Sequence, residues 1–149
     1  MGVIPAAIGT LSSNYPRRDK KEPDKYQYVD QVMAGLQGTP CCVQMSHALS
    51  ESGVRIPDHS YRRNPNPYLK KKGFYYILAV DELEELLTSF YGEGETINKD
   101  LDKARSMDEI KAYIAQRPGL LLFRYSTLRV PAPKGQFEHT ELWDGKCTS

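Results

Sequence analysis

Three cysteines and three histidines carry most of the nucleophilic and acid–base chemistry available to this chain: Cys41, Cys42 and Cys147, with His47, His59 and His139. Three cysteines are too few for a disulfide framework, and the odd number leaves at least one thiol outside any intramolecular disulfide. Thr39-Pro40 reads as a helix start, with Thr as N-cap and Pro at the first helical position, and Gly53 reads as the stop. Cys41 and Cys42 therefore fall in the first turn, near the positive end of the helix dipole and beside backbone N–H groups that precede the hydrogen-bond ladder. Both effects stabilise thiolate over thiol. The same N–H groups can hold a developing oxyanion, so one piece of backbone supplies both nucleophile and electrophilic stabiliser. Adjacent helical residues point about 100° apart, so at most one of the two cysteines is the well-placed nucleophile.

A cysteine hydrolase also needs an imidazole to take the thiol proton and return it to the leaving group. His47 lies about 9 Å further along the helix from Cys41 and is rotated from it by roughly 120°, so it reads as an ordinary helix histidine. His59 sits in a proline-rich stretch. His139 lies on a short β-prone run, Glu138 to Trp143, next to a Gly- and Pro-containing loop, a rigid element able to hold an imidazole opposite a helix N-terminus.

The elements that must position these groups follow from periodicity. Residues 1–25 read as an extended N-terminal arm, polar and proline-punctuated from Ser12 to Pro23, ahead of a single domain over 26–149. Val29, Val32, Met33 and Leu36 mark one face of an amphipathic helix. After the cysteine helix, residues 54–73 read as a long ordered loop bordering the cleft. Phe74 to Val80 is an aromatic strand, Asp81 an N-cap, and Leu83, Leu86, Leu87 and Phe90 a core-facing helical stripe. Ser106 to Glu109 is a capping box opening a helix that ends before Pro118-Gly119, Gly119 to Tyr125 is a buried strand, and Asp144-Gly145 is a turn. The order implies an α+β domain with a mostly antiparallel sheet.

A chain of 149 residues with 40% hydrophobic content can bury one sizeable core. A formal charge of +1 gives no overall field for nucleic acid or an anionic membrane surface, and the clusters Arg17 to Lys21 and Lys70 to Lys72 read as solvated loops. No apolar run is long enough to span a bilayer, and the N-terminus is a poor signal peptide because no positive flank precedes its Pro- and Gly-broken apolar stretch.

Thr39-Pro40-Cys41-Cys42-Val43-Gln44-Met45-Ser46, followed by Gly53, resembles the nucleophile helix of the type VI secretion amidase effectors, fourth family, in which register against Met45-Ser46 puts Cys41 at the nucleophile. His139-Thr140-Glu141-Leu142-Trp143-Asp144-Gly145 is similar to that family's histidine signature and puts His139 at the base. The resemblance spans roughly residues 26–147 and implies a papain-like fold of the NlpC type, its nucleophile helix packed on the sheet. It implies hydrolysis of the D-glutamyl to meso-diaminopimelate bond in peptidoglycan stem peptides, with no cofactor and no metal. It further implies export by the secretion machinery without a signal peptide, action in the periplasm of a target bacterium, and a cognate immunity protein.

Departures from the family are Gln44 in place of the usual Arg, Glu138 in place of the Gly before the histidine, and the third catalytic group. The family's aspartate falls further along than Ser149, where this sequence ends. Asp144 is the nearest substitute, although on a straight strand it lies about 16 Å from His139 on the opposite face unless the turn brings it back. Glu141, on the same face as His139, is another partner, and a Cys-His dyad without a third group is a further option. Cys147 can pair with Cys42 in the oxidising periplasm, leaving Cys41 reduced. Three other readings compete: a zinc site of Cys41, Cys42, His139 and Cys147, whose adjacent cysteines do not match usual ligand spacing; a deamidase or transglutaminase-like toxin acting on a protein; and a non-catalytic muropeptide-binding, adaptor or immunity protein.

Overall fold

The helix that carries the cysteines is buried on nearly every side, with Cys41, Cys42, Val43 and every residue from Met45 to Leu49 at or below 4% exposure. A helix covered this completely is a core element around which other segments pack. The computed structural model of the chain describes residues 3–17, 29–30, 32–34, 40–57, 63–65, 74–95, 97, 106–123 and 139–146. Its elements in chain order are α1 (Ile8–Asn14), α2 (Cys41–Glu51), β1 (Arg63–Pro65), β2 (Tyr75–Ile77), α3 (Val80–Tyr91), α4 (Met107–Ile114), β3 (Gly119–Phe123) and β4 (His139–Trp143). The α2 helix contacts α1, β2 and β4.

Both described sheets are antiparallel pairs, β1 with β2 and β3 with β4. In the second, Phe123 faces His139, Leu121 faces Glu141 and Gly119 faces Trp143. Thr140 and Leu142 turn to the protein interior while His139 and Glu141 are half-buried on the other face, the period-two alternation of a strand with one side in the core. The main core joins Cys42, Met45, Leu49, Ile77, Leu83 and Leu142; a second cluster joins Val29, Val32, Val43 and Tyr76. Among the described residues no helix is long and apolar enough to cross a membrane.

Several sequence expectations change at this level. The N-terminal arm is not extended over residues 8–14, which form α1; Leu11 and Tyr15 are buried in the main core, with Ile4 and Ile8 packed against it. The spacing 4, 8, 11, 15 already carries this helical stripe, which the neighbouring glycine and prolines obscure. Asn14 Nδ2 donates to Ser52 Oγ (3.1 Å) and Gln44 Nε2 donates to the Pro16 carbonyl (2.8 Å), so the segment is fastened to both ends of α2. Arg17 donates to the Ser12 and Tyr15 carbonyls at the end of α1; Arg18 to Lys21 and Lys70 to Lys72 lie outside the described residues. Val29, Asp30, Val32 and Met33 are helical as expected, and Leu36 lies outside the description.

The expected loop 54–73 contains β1, because the backbone edge of the buried β2 takes a partner strand; Pro65 pairs with Tyr75 at the end of the ladder, where a missing N–H is tolerated. The strand is shorter than Phe74 to Val80. Val80 already begins α3 with Ala79 as N-cap, and Asp81 and Glu82 occupy the first turn, where their charge favours the helix dipole. Leu83, Leu86 and Leu87 are buried, but Phe90 is 55% exposed, since the last turn of α3 runs past the edge of the core. The capping box forms as expected: Ser106 Oγ accepts from Glu109 N–H and Glu109 Oε1 accepts from Ser106 N–H. The strand at Gly119–Phe123 is half-buried throughout rather than fully buried.

Two contacts give stability predictions. Ser46 Oγ accepts the Ile77 N–H (3.0 Å) and lies 3.5 Å from the Ile77 carbonyl, bridging α2 to β2 inside the core. Ser46→Ala leaves that buried N–H without its acceptor and is expected to cost about 1–3 kcal/mol in denaturant unfolding. At the other end, Gly145 has φ +99° and a Cβ there would lie 3.2 Å from Gln116 Cα. Its carbonyl accepts from Gln116 N–H (3.0 Å), while Trp143 Nε1 donates to the Ile114 carbonyl (2.9 Å), so the turn after β4 is docked on the end of α4. Gly145→Ala is therefore expected to lower the unfolding midpoint, by an amount equivalent to about 1–3 kcal/mol.

Candidate active site

Pro40 is the N-cap of α2 and Cys41 its first helical residue, so the helix begins one residue later than the sequence implies; Thr39 lies outside the described residues. The first bond of the ladder runs from Gln44 N–H to the Pro40 carbonyl (2.9 Å). The N–H groups of the first turn precede that bond and point out of the helix N-terminus, where partial positive charge accumulates. Cys41 sits at this position, and Cys42 is turned into the core at 1% exposure. Neither forms a disulfide. Both thiols are buried in the main core, and Cys41 is the one that acts on the His139 imidazole.

Across from this helix end, β4 presents His139. Its imidazole lies near enough to Cys41 for the thiol to act on its ionisation, and its Nε2 lies 2.8 Å from Glu141 Oε1. With Nε2 engaged by the carboxylate, Nδ1 is the ring nitrogen left to exchange a proton with the thiol. The ring also stacks on Phe123 from the paired strand, with centroids 6.1 Å apart and planes at 25°. Partial burial is the largest single influence on the imidazole and works against its charge. The hydrogen bond to Glu141 and the influence of Cys41, with their charges, outweigh it and hold the His139 pKa above its ordinary value. The imidazolium consequently persists to higher pH than that of an isolated histidine.

The structure brings Cys41 and His139 together and does not bring Asp144 to them. Asp144 is exposed at the turn, where its Oδ1 accepts the Lys146 N–H at 2.7 Å. Glu141, two residues from His139 on the same face, is the carboxylate at hydrogen-bond distance from the imidazole. His47 is buried in the core: Nδ1 is 2.9 Å from Tyr76 Oη, Nε2 is 3.9 Å from Glu51, and its ring lies parallel to that of Tyr76. His59 and Cys147 lie outside the described residues, and with Cys147 so do the proposed disulfide and the zinc set. Among the described residues no group of three or more His, Cys, Asp or Glu side chains is placed to hold a metal. Gln44, the departure from Arg, donates its side-chain N–H to the Pro16 carbonyl. That contact was hidden from sequence reasoning because it joins segments whose proximity only the fold of α1 creates.

An α+β chain with a cysteine at a helix N-terminus facing a strand histidine has the papain-like arrangement, and the solved structures it resembles agree. The effector Tae4 from Enterobacter cloacae superposes with a TM-score of 0.67 at 16% identity, covering 99% of this chain and 86% of that one. Tae4 from Salmonella typhimurium, solved in complex with the immunity protein Tai4 from Enterobacter cloacae, gives 0.66 at 14% identity, covering 96% and 83%. The Tae4–Tai4 effector–immunity complex from Enterobacter cloacae gives 0.64 at 17% identity, covering 96% and 82%. No curated protein sequence matches the chain significantly. The family model for type VI secretion system amidase effector protein 4 matches residues 37–149, a span that holds both Cys41 and His139, and the chain therefore belongs to the Tae4 family of amidase effectors.

Proposed function

We propose that this amidase hydrolyses the D-glutamyl to meso-diaminopimelate bond of peptidoglycan stem peptides, with Cys41 as nucleophile and His139 as its acid–base partner. The observation that carries the reading is the pairing of His139 with Cys41 at the N-terminus of α2, where the thiol raises the imidazole's pKa. The Cys41 thiolate attacks the amide carbonyl carbon, and the oxygen takes up the electron pair, facing the first-turn N–H groups. Collapse of this adduct breaks the C–N bond as the His139 imidazolium gives its proton to the departing amine. A thioester remains on Cys41. The now neutral imidazole takes a proton from water as that water attacks the thioester, and thiolate and imidazolium are restored as the new carboxylic acid leaves.

Family membership supports delivery by the type VI apparatus into the periplasm of a target bacterium, and the Tae4–Tai4 complexes support a cognate immunity protein that covers the effector of the producing strain. The test is incubation of the purified protein with bacterial peptidoglycan under reducing conditions, with the released muropeptides resolved by liquid chromatography and mass spectrometry. Fragments whose masses fit cleavage after D-glutamate are the expected result. Fragments fitting a different amide would move the assignment to that bond, and no fragments at all would favour a protein substrate.

A further inference from the structure

Resting on the assignment of Cys41 and His139 as the reacting pair, we propose that Glu141 is the positioning residue of this active site, fixing the His139 ring through Nε2 so that Nδ1 addresses the Cys41 thiol. The arrangement follows from strand geometry. Residues two apart on β4 project from the same face, and His139 and Glu141 are the half-buried pair on the side opposite Thr140 and Leu142. Their 2.8 Å separation is that of a charge-assisted hydrogen bond. The side chains are 43% and 25% exposed, so the bond is partly shielded and its geometry is held by the neighbouring strand. Phe123, directly across the ladder from His139, stacks on the ring and restricts its rotation. A carboxylate from the histidine's own strand thus does the work that Asp144, committed to the turn, does not. Among the described residues the titratable groups acting on His139 are Cys41, from α2, and Glu141, from β4; β3 contributes the uncharged Phe123.

The role separates into orientation and charge. Glu141→Gln keeps an oxygen able to accept from Nε2–H but removes the negative charge, whereas Glu141→Ala removes both. Expected losses in kcat/KM on muropeptide are on the order of tenfold for Gln and a hundredfold for Ala, part of the ~10²–10⁴ that a positioned acid–base group supplies. In both variants the alkaline limb of the pH–rate profile moves to lower pH, because the imidazolium loses its carboxylate partner. The same limb is read without any substrate as the titration of the His139 ring resonances followed by NMR. If wild type releases no muropeptide while this titration limb still shifts to lower pH in the variants, the positioning role stands and the substrate assignment falls. Unshifted limbs in both variants, with or without a loss of rate, would overturn the role, since a merely structural carboxylate lowers activity without moving that limb. Nitrogen-resolved NMR of the wild type gives an independent check: the neutral His139 ring is expected as the Nε2–H tautomer, and an Nδ1–H tautomer contradicts the proposal.

Discussion

Replacing Cys41 with Ala is expected to abolish muropeptide release, a fall of at least about 10⁴-fold in kcat, because the covalent route disappears and no other group in the site replaces the sulfur. The size of the effect separates chemistry from folding. Cys41 is buried, so the substitution trims one atom from a packed environment and costs about 1 kcal/mol, small beside the ~5–15 kcal/mol that typical domains retain. A variant that keeps its unfolding transition and loses its activity therefore locates the nucleophile. Cys42→Ala makes the contrast: Cys42 shares the main core with Cys41 but points about 100° away on the helix, and Cys41 is the thiol that acts on His139, so loss of Cys42 is expected to lower stability by about 1 kcal/mol while leaving muropeptide release within a few-fold of wild type. Equal losses of activity in the two variants, at equal stability, would mean that Cys41 is not singled out from Cys42 as the nucleophile.

The legible part of the site was its two ends. A helix start next to two cysteines and a histidine on a short strand are local patterns, and each appears where spacing places it, within one residue for α2. The connection between them was not legible from periodicity, because the meeting of residues 41 and 139 depends on how α2 packs on β4, a non-local contact with no sequence period of its own. The orienting carboxylate shows the same divide. Glu141 and Asp144 are both carboxylates within one motif; Glu141, on the same face of β4 as His139, lies 2.8 Å from its Nε2, whereas the Asp144 carboxylate accepts the Lys146 N–H in the turn. Local rules also misread α1 and Phe90. In the first, a sparse apolar stripe was masked by Gly9 and nearby prolines; in the second, a correct stripe ran past the core it was supposed to cover.

Replacing His139 with Ala is expected to lower kcat/KM by about 10³-fold or more, since one substitution removes the proton acceptor for the thiol and the proton donor for the leaving amine. Its pH signature distinguishes it from a loss of fold. In the wild type the reactive state is the thiolate–imidazolium pair, which forms as the thiol gives up its proton and is lost at high pH as the raised His139 pKa is passed. Activity therefore rises and falls with pH, and its upper limb lies above the ordinary histidine range. Without the imidazole the alkaline limb disappears, and Cys41 alkylation climbs only as an unassisted thiol ionises, so the ratio of wild-type to variant alkylation is largest at mildly acidic pH and falls toward one at high pH. Stability follows the same sign. A histidine whose folded pKa is raised contributes its full stabilisation below the unfolded value and loses it as pH rises through the folded value, so the gap in melting temperature between wild type and His139→Ala narrows with increasing pH. A gap that widened instead would mean that the folded site prefers the neutral ring, in which case Cys41 is not held as a thiolate by His139 and the proton must come from elsewhere.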